Sequence, residues 1–589
     1  MKLKEIKKLL GLPEWAELTY SNFSDVCFSC FGVAKKEGKR ADILARDLAE
    51  SIKSNYIRSI EALNGYVNIN LDFNALNSSA NFILRDEDSK VNNNFSGKTI
   101  RLEHTSVNPN KGLHIGHMRN SYIGEFIRRS LLYSSANVIV SNFIEDTGAQ
   151  VADIIVGFKF LGKEMETDKK FDLYCSGIYK EINEMYEKDK NLLEKRKEVL
   201  LSIENGDKET LDILNAIVER VLSAQILTLS NQKIKYDLLD LERYILGEGI
   251  VKKALSKLIE DKIAFKSESE KNSGCIVTIV DDKEVTLTRS DGTSLYIAKD
   301  IAYAMMKHSL LNEVIKYSYF GKNYDGSDIK ISDAKGKEEN LKKIDISFTL
   351  TDSSQNAEQS VVKAIIDGLS GKDSYRHYSY EPVAISKDTA SIIGINTEEN
   401  FIRMSGRKGI TIEFDNLIKS VEKRIREQAD INGKEIADDE LFKMASNVIR
   451  YYILKYSPSK MVIFDIKEAT SLKGDTAVYI NYSYSRAKSI LRKGSKKEEI
   501  NVSFGEEENN FMRKLLFWEE NLDNAISNLK ANIICDYLHS VCDTFNSFYE
   551  RNRIIGDRNE ASRMILVEYF VKIVEKLCYF LGIELIERM

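Results

Sequence analysis

His114-Ile115-Gly116-His117 stands where an alternating segment gives way to a helical one. Upstream, Thr99-Ile100-Arg101-Leu102-Glu103-His104 alternates as a strand does, and a turn-rich segment follows through Pro109 and Gly112. Ile115 to Leu132 then carries apolar residues at helical spacing, and Asn137 to Val140 reads as a second strand. That order predicts an α/β fold with a parallel, doubly wound sheet and a site at the loop after the first strand. The chain has only six histidines, and two of them flank Gly116 at the helix start. One histidine alone is more often a core side chain, but this pair points to phosphate chemistry. A helix N-terminus offers free N–H groups and the positive end of a dipole, and Gly116 lets a nucleotide approach the backbone. Each imidazole can donate a hydrogen bond to an α-phosphate oxygen as negative charge builds there.

Working outward, 589 residues are too many for one hydrophobic core, so about three to four domains are expected. Hydrophobic residues at 43% and charged residues at 30% fit a globular chain and exclude a disordered one. No apolar run reaches the roughly 18 residues of a membrane span. Met1 to Leu10 alternates Lys with Leu and Ile, without the apolar core of a signal peptide, so a cytoplasmic protein with no membrane partner is expected. Cys27 and Cys30 form a close pair, yet no second pair or His pair follows with zinc-site spacing. They read as buried thiols in a reducing compartment, and no metal site is expected. The net charge of −5 gives no hint of nucleic acid. Local basic runs at Arg486 to Lys497 and Arg551 to Arg558 are equally well read as solvated helix faces.

Residues 1–90 read as a small α+β domain, with helices at the start and around Ala41 to Ser54, an alternating strand at Tyr66 to Leu71, and a polar linker from Arg85 to Gly97. Residues 91–430 hold the sheet, with a Lys/Glu/Leu-rich helical insertion at about 163–255, a hairpin from Gly274 to Arg289 turning at Asp281-Asp282, and a helix from Thr293 to His308. Residues 431–589 are almost wholly helical in pattern and read as a separate bundle.

The string His114-Ile115-Gly116-His117 is identical to the first signature of class I aminoacyl-tRNA synthetases. Their second signature, Lys-Met-Ser-Lys-Ser, resembles Arg403-Met404-Ser405-Gly406-Arg407-Lys408-Gly409 downstream. Its second lysine is replaced by Gly406. Arginyl members commonly lack that lysine and carry one just before the first signature, where this chain has Lys111. Glu103, Ser106, Asn108, Lys111, His114 and His117 match the spacing of the arginyl family's first block. Arg289 to Ala302 is similar to its second block, and Asp352-Ser353-Ser354-Gln355 to its third. With the terminal domains included, the likeness to arginyl-tRNA synthetases covers nearly the whole chain.

The resemblance implies a Rossmann-type catalytic domain, a tRNA-contacting N-terminal domain and an anticodon-binding C-terminal bundle. It implies L-arginine, ATP with Mg2+, and tRNA(Arg) as partners, activation to arginyl-adenylate, and transfer to the 2′-hydroxyl of the terminal adenosine. The family usually needs bound tRNA even for activation. By the same resemblance His114, Gly116, His117, Met404, Ser405 and Arg407 bind ATP, while His114, His117, Lys111, Arg403 and Lys408 stabilise the reacting phosphates. Glu103, Tyr296 and Asp300 are assigned to the guanidinium, and Ser106, Asn108 and Gln355 to the α-amino end. The chemistry agrees: a guanidinium is flat, always charged and rich in donors, so it calls for carboxylates and a groove. Tyr296 and Asp300, four apart, share one helical face.

Tyr482, Arg486 and Met589 are the tRNA-contacting candidates of the bundle, exposed aromatics beside cations being suited to stacking unpaired bases. An aromatic stripe at helical spacing also serves as core. A monomer is expected. A cysteine-charging relative would need zinc-ligand spacing, and a glutamate-charging one would put cations where Glu103 and Asp300 stand. A non-catalytic tRNA-binding paralogue would be expected to lose a signature histidine or the pyrophosphate-side cations. Two departures from the family remain: a long polar stretch between His308 and Ile344, read as a surface insertion, and Arg243 where a Ser is commoner.

Overall fold

A computed structural model describes residues 3–21, 23–78, 93–270, 272–311, 313–339, 341–403, 412–431, 435–494 and 504–587, and the chain divides into two compact units. One comprises Val91–Ala469; the other joins Met1–Lys90 to Thr470–Met589.

The first unit is built on an eight-stranded sheet. In chain order its strands are β1 (Thr99–Glu103), β2 (Asn137–Ile144), β3 (Leu238–Leu241), β4 (Lys316–Lys322), β5 (Asp328–Ser332), β6 (Lys337–Glu338), β7 (Ile346–Asp352) and β8 (Tyr375–Tyr380). They lie side by side as β6-β4-β5-β3-β2-β1-β7-β8. Pairing is parallel from β5 through β8, and β4 with β6 adds an antiparallel edge. Helix α1 (Ile115–Tyr133) connects β1 to β2, α2 (Tyr296–Lys307) follows the hairpin, and α3 (Asn356–Ser370) connects β7 to β8. All five residues of β1 are buried, as a central parallel strand covered on both faces requires. The chain leaves β1 toward β2 and β3 on one side and reaches β7 and β8 on the other. The carboxyl ends of β1 and β7 therefore flank a crevice of the kind where doubly wound sheets bind ligands.

The hairpin expected at Gly274 to Arg289 pairs Ile276–Val280 with Lys283–Thr286, and Asp281 and Asp282 both take positive φ, at 49° and 60°. That is the turn geometry that matches strand twist in a two-residue loop. Two expectations need correction. The stretch 163–255 is helical from Phe171 to Asn231, but it then contains strand β3 of the central sheet. Four residues are too few to display a strand period against a helical background. The polar stretch after His308 is not a surface insertion: it supplies β4, β5 and β6, and β5 pairs directly with β3. Charged side chains are usual on such an edge, where they discourage further strand pairing. Helix Lys208–Asn231 has the length and composition of a membrane span, while Leu214, Ile217, Val221 and Leu222 are buried within the protein.

The other unit has a four-stranded antiparallel sheet ordered Thr19–Tyr20, Val26–Ser29, Tyr66–Leu71, Ile57–Leu63, with helix Ala41–Ser51 against it. Val67, Ile69 and Leu71 alternate inward, which is the period that marks Tyr66–Leu71 as a strand in the sequence. Cys27 and Cys30 are buried free thiols of this sheet region. Helices Ala477–Lys493, Glu506–Leu516, Trp518–Asn528, Ala531–Arg551 and Glu560–Leu581 complete the unit. The two chain segments are joined by an ion pair of Arg513 with Asp25, by the amide of Asn74 bonding both N–H and C=O of Phe504, and by the Tyr20 and Phe517 rings at 4.3 Å.

Candidate active site

The loop after β1 is held in a strained form. Thr105 and Ser106 have positive φ, 77° and 44°, where a β-branched residue such as Thr105 is rare. Asn120 and Asn142 enforce it, their Oδ1 atoms accepting the N–H of Thr105 at 2.7 Å and of Ser106 at 2.8 Å. Helices of the insertion clamp the next residues: Gln225 Nε2 donates to the carbonyls of Lys111 at 2.8 Å and Asn108 at 3.2 Å, and Ser176 Oγ accepts the Gly112 N–H at 2.9 Å.

His114 is the N-cap of α1. Its Nδ1 accepts the N–H of Gly116 at 3.1 Å and of His117 at 3.3 Å, and the His114 N–H returns a bond to His117 Nδ1 at 3.2 Å. This is a capping box built from two imidazoles. Because each Nδ1 accepts, each proton resides on Nε2, leaving two Nε2–H donors at the helix N-terminus. Burial, with the nearby Lys111, pushes His114 down to about 3, and burial with His114 and Lys111 holds His117 well below the usual range. Gly116 is required by close approach, since a Cβ there would stand 2.9 Å from His114 Cε1. Lys111 Nζ lies 3.5 Å from Gln150 Oε1 and 5.8 Å from the Tyr179 ring centre, and burial lowers its pKa.

Carboxylates gather at the carboxyl ends of the parallel strands. Glu103 ends β1, Asp352 ends β7, and Glu145 and Glu242 follow the paired positions Ile144 and Leu241 of β2 and β3. From α2, Asp300 and Tyr296 join them: the Asp300 carboxylate first, then burial and the charges of Glu145, Glu103 and Glu242, raise the Tyr296 pKa. Burial and the charge of Glu103 raise Asp300 well above the carboxylate range. Asp300 Oδ2 accepts from Gln359 Nε2 at 3.2 Å, and Tyr375 fixes that amide from the other end at 2.5 Å. Glu103 does not stand open: its Oε2 takes the buried ammonium of Lys307 and the Thr349 hydroxyl. Lys299 pairs with Glu242 at 2.9 Å. Asn108 Nδ2 donates to Glu145 Oε2 at 3.2 Å. Ser106 is exposed on the loop, and Gln355 ends the short 3-10 turn that leads into α3.

Thus Glu103, Ser106, Asn108, Lys111, His114, Gly116, His117, Tyr296, Asp300 and Gln355 all fall on the strand ends, loop and helix starts that border the crevice. Of the second signature, Arg403 is exposed at the end of strand Phe401–Arg403, while Met404, Ser405, Arg407 and Lys408 lie outside the described residues. The chain beyond them is tied back to the first signature by the Phe414 N–H on the Leu113 carbonyl at 2.7 Å and a bridge between Glu413 and His114. Met589 also lies outside the described residues. In the other unit Tyr482 is 40% exposed, and Arg486 lies between the rings of Tyr482 and Tyr549, at 4.5 and 4.7 Å from their centres.

Sequence reading missed Glu145, Glu242, Lys299, Lys307 and Gln359. The signal available for the two glutamates was position, one residue past a strand; the lysines are visible only once α2 is packed against the sheet. Arg243 is accounted for by its partner, the buried Asp146, whose Oδ2 lies 2.9 Å from Arg243 Nε as an ion pair and whose Oδ1 accepts the Arg243 backbone N–H. Burial, opposed by Arg243, raises Asp146 to about 6.

Residues 81–320 match a family model described as tRNA synthetases class I (R), catalytic domain, and residues 480–589 match the DALR anticodon binding domain. The arginine--tRNA ligase of Thermococcus kodakarensis is 28% identical over 98% of this chain and 96% of its own length. That of Archaeoglobus fulgidus is 29% identical over 100% and 99% respectively. The solved structure of Thermus thermophilus arginyl-tRNA synthetase matches with a TM-score of 0.83 at 26% identity, over 99% of this chain and 98% of that one.

Proposed function

We propose, for a chain that belongs to the arginyl-tRNA synthetases of class I, that it activates L-arginine with ATP and transfers it to the 2′-hydroxyl of the terminal adenosine of tRNA(Arg), releasing pyrophosphate and AMP. The observation that carries the reading is the pair of neutral imidazoles at the head of α1 beside a crevice lined with carboxylates. The first suits a developing phosphate charge, the second a cationic amino acid.

In this reading no protein nucleophile is needed. The arginine carboxylate attacks the α-phosphorus in line and pyrophosphate leaves, so the protein contributes positioning and charge stabilisation. The Nε2–H groups of His114 and His117 donate to the α-phosphate, with Gly116 admitting it to the helix end. Lys111, Arg403 and Lys408 balance the pyrophosphate charge, and Met404, Ser405 and Arg407 line the ATP site. Mg2+ bound with ATP would help neutralise the phosphate charge that Lys111, Arg403 and Lys408 balance. Asp300, Tyr296 and Glu103 form the guanidinium end, Glu103 acting with Lys307 already on it. Ser106, Asn108 and Gln355 form the α-amino end.

For the domains, residues 1–90 and 431–589 are assigned to tRNA, with Tyr482 and Arg486 as a stacking site for anticodon bases and Met589 as a further contact, and 91–430 to catalysis. The protein is proposed to work as a cytoplasmic monomer. Amino-acid-dependent pyrophosphate exchange, run with tRNA present, tests the function: arginine alone among the amino acids is expected to support it. Exchange with a different amino acid would overturn the substrate, and exchange with none would overturn the enzyme.

A further inference from the structure

Of the carboxylates at the strand ends and on α2, three are committed within the protein. Glu103 is paired with Lys307 and Glu242 with Lys299. Asp352 caps the turn it begins, accepting the Ser354 N–H at 2.8 Å. The remaining two, Asp300 and Glu145, have no ion pair among the described residues. Each takes one hydrogen bond from a neutral amide, Asp300 from Gln359 and Glu145 from Asn108, both at 3.2 Å. Two carboxylates without a bonded cation in one crevice are unfavourable, and although the charges of Lys299 and Lys307 act against it, the effect is visible in both. Burial and then the charge of Glu242 raise Glu145, as burial and Glu103 raise Asp300. L-Arginine carries two cations, a guanidinium and an α-ammonium, which these two carboxylates can meet.

Position decides which anion serves which cation. Asp300 stands on α2 one turn from Tyr296, backed by Gln359 and Tyr375. Glu145 stands at the end of β2 and is joined to Asn108, in the same loop that carries Lys111 and leads into His114. The reacting carboxylate must meet the α-phosphate near that loop, and the α-ammonium shares its carbon. Room is kept for Glu145 by Gly148, where a Cβ would stand 2.9 Å from Glu145 Oε1.

We propose that Glu145 is the counter-charge of the α-ammonium of the bound amino acid, orienting it together with Asn108. The assignment rests on arginine being the substrate. It gives the α-amino end an opposite charge, which the neutral Ser106, Asn108 and Gln355 do not carry.

The test compares arginine with δ-guanidinovalerate, which is arginine without its α-amino group, in pyrophosphate exchange with tRNA present. In Glu145→Gln the KM for arginine is expected to rise about 10- to 100-fold, while inhibition by δ-guanidinovalerate changes less than about twofold. Asp300→Asn is expected to weaken both ligands together. Glu145→Asp, which keeps the charge but withdraws it, is expected to lie between wild type and Glu145→Gln, and an unchanged KM for ATP reports an intact fold. Equal weakening of both ligands by Glu145→Gln, or an unchanged arginine KM, would overturn the assignment. Absence of arginine-dependent exchange in the unaltered protein would instead overturn the functional reading, and this assignment with it.

Discussion

The rings of His114 and His117 stack with centres 3.5 Å apart and planes 17° from parallel, each Nδ1 accepting a backbone N–H. Both are therefore neutral Nε2–H tautomers before any substrate arrives. Nitrogen-detected imidazole spectra near neutral pH are expected to show two Nε2–H forms. The activation rate is expected to have no acid limb from these groups near 6.5, the ordinary histidine value. An Nδ1–H form, or a midpoint near that value for either ring, would contradict the capping arrangement.

In the proposed reading Lys111 stands in for the lysine that Gly406 replaces; burial lowers its pKa, and among the described residues no carboxylate pairs with it. Lys111→Ala is expected to raise the activation barrier by about 2 to 4 kcal/mol while arginine binding changes little. Single-turnover adenylate formation separates the two, and an unchanged rate removes the role.

Lys307 and Glu103 are a buried pair, their side chains 1% and 7% exposed. Removing one partner of such a pair leaves the other charge stranded, at a cost of about 3 to 5 kcal/mol. Lys307→Met is expected to lower the urea midpoint accordingly, and Lys307→Met with Glu103→Gln to recover most of the loss. Additive losses in the double variant would show that the two do not act as a pair.

His104 is fully buried, and burial pushes it down to about 4 from an ordinary 6.5. Its folded value lies below its unfolded value, so between them the unfolded chain binds the proton. Its stabilising contribution is complete above about 6.5 and is lost as pH falls toward about 4. The stability advantage of wild type over His104→Gln is expected to shrink across that window. An advantage constant with pH would mean that His104 titrates alike in the folded and unfolded chain.

The helix at Ile115, the strand at Tyr66 to Leu71 and the hairpin turn at Asp281-Asp282 were legible because each is a local pattern: a cap followed by a helical period, an alternation, a pair of turn residues. Strand β3 was not, because Leu238–Leu241 is shorter than the window in which period can be judged. The polar stretch beyond His308 was misjudged for a different reason. Edge strands carry charge, and charge without context reads as loop. At the site, residues belonging to one contiguous string were found from the string. Glu145 and Glu242 belong to the crevice only because β2 lies beside β1 and β3 beside β2, a long-range fact no local pattern records. Lys307 was invisible for the same reason, and it alters how Glu103 should be read.

The joining of Asp25 to Arg513 and of Asn74 to Phe504 has a temporal consequence. The second pair is separated by 430 positions, so the amino-terminal sheet leaves the ribosome long before its helical partners exist. At roughly 5 to 20 residues per second, the wait is about 20 to 90 seconds. Meanwhile Val91–Ala469, contiguous in the chain, can fold on its own schedule. The central unit is thus fully synthesised first, and the other can be assembled only once residues 470–589 have followed it.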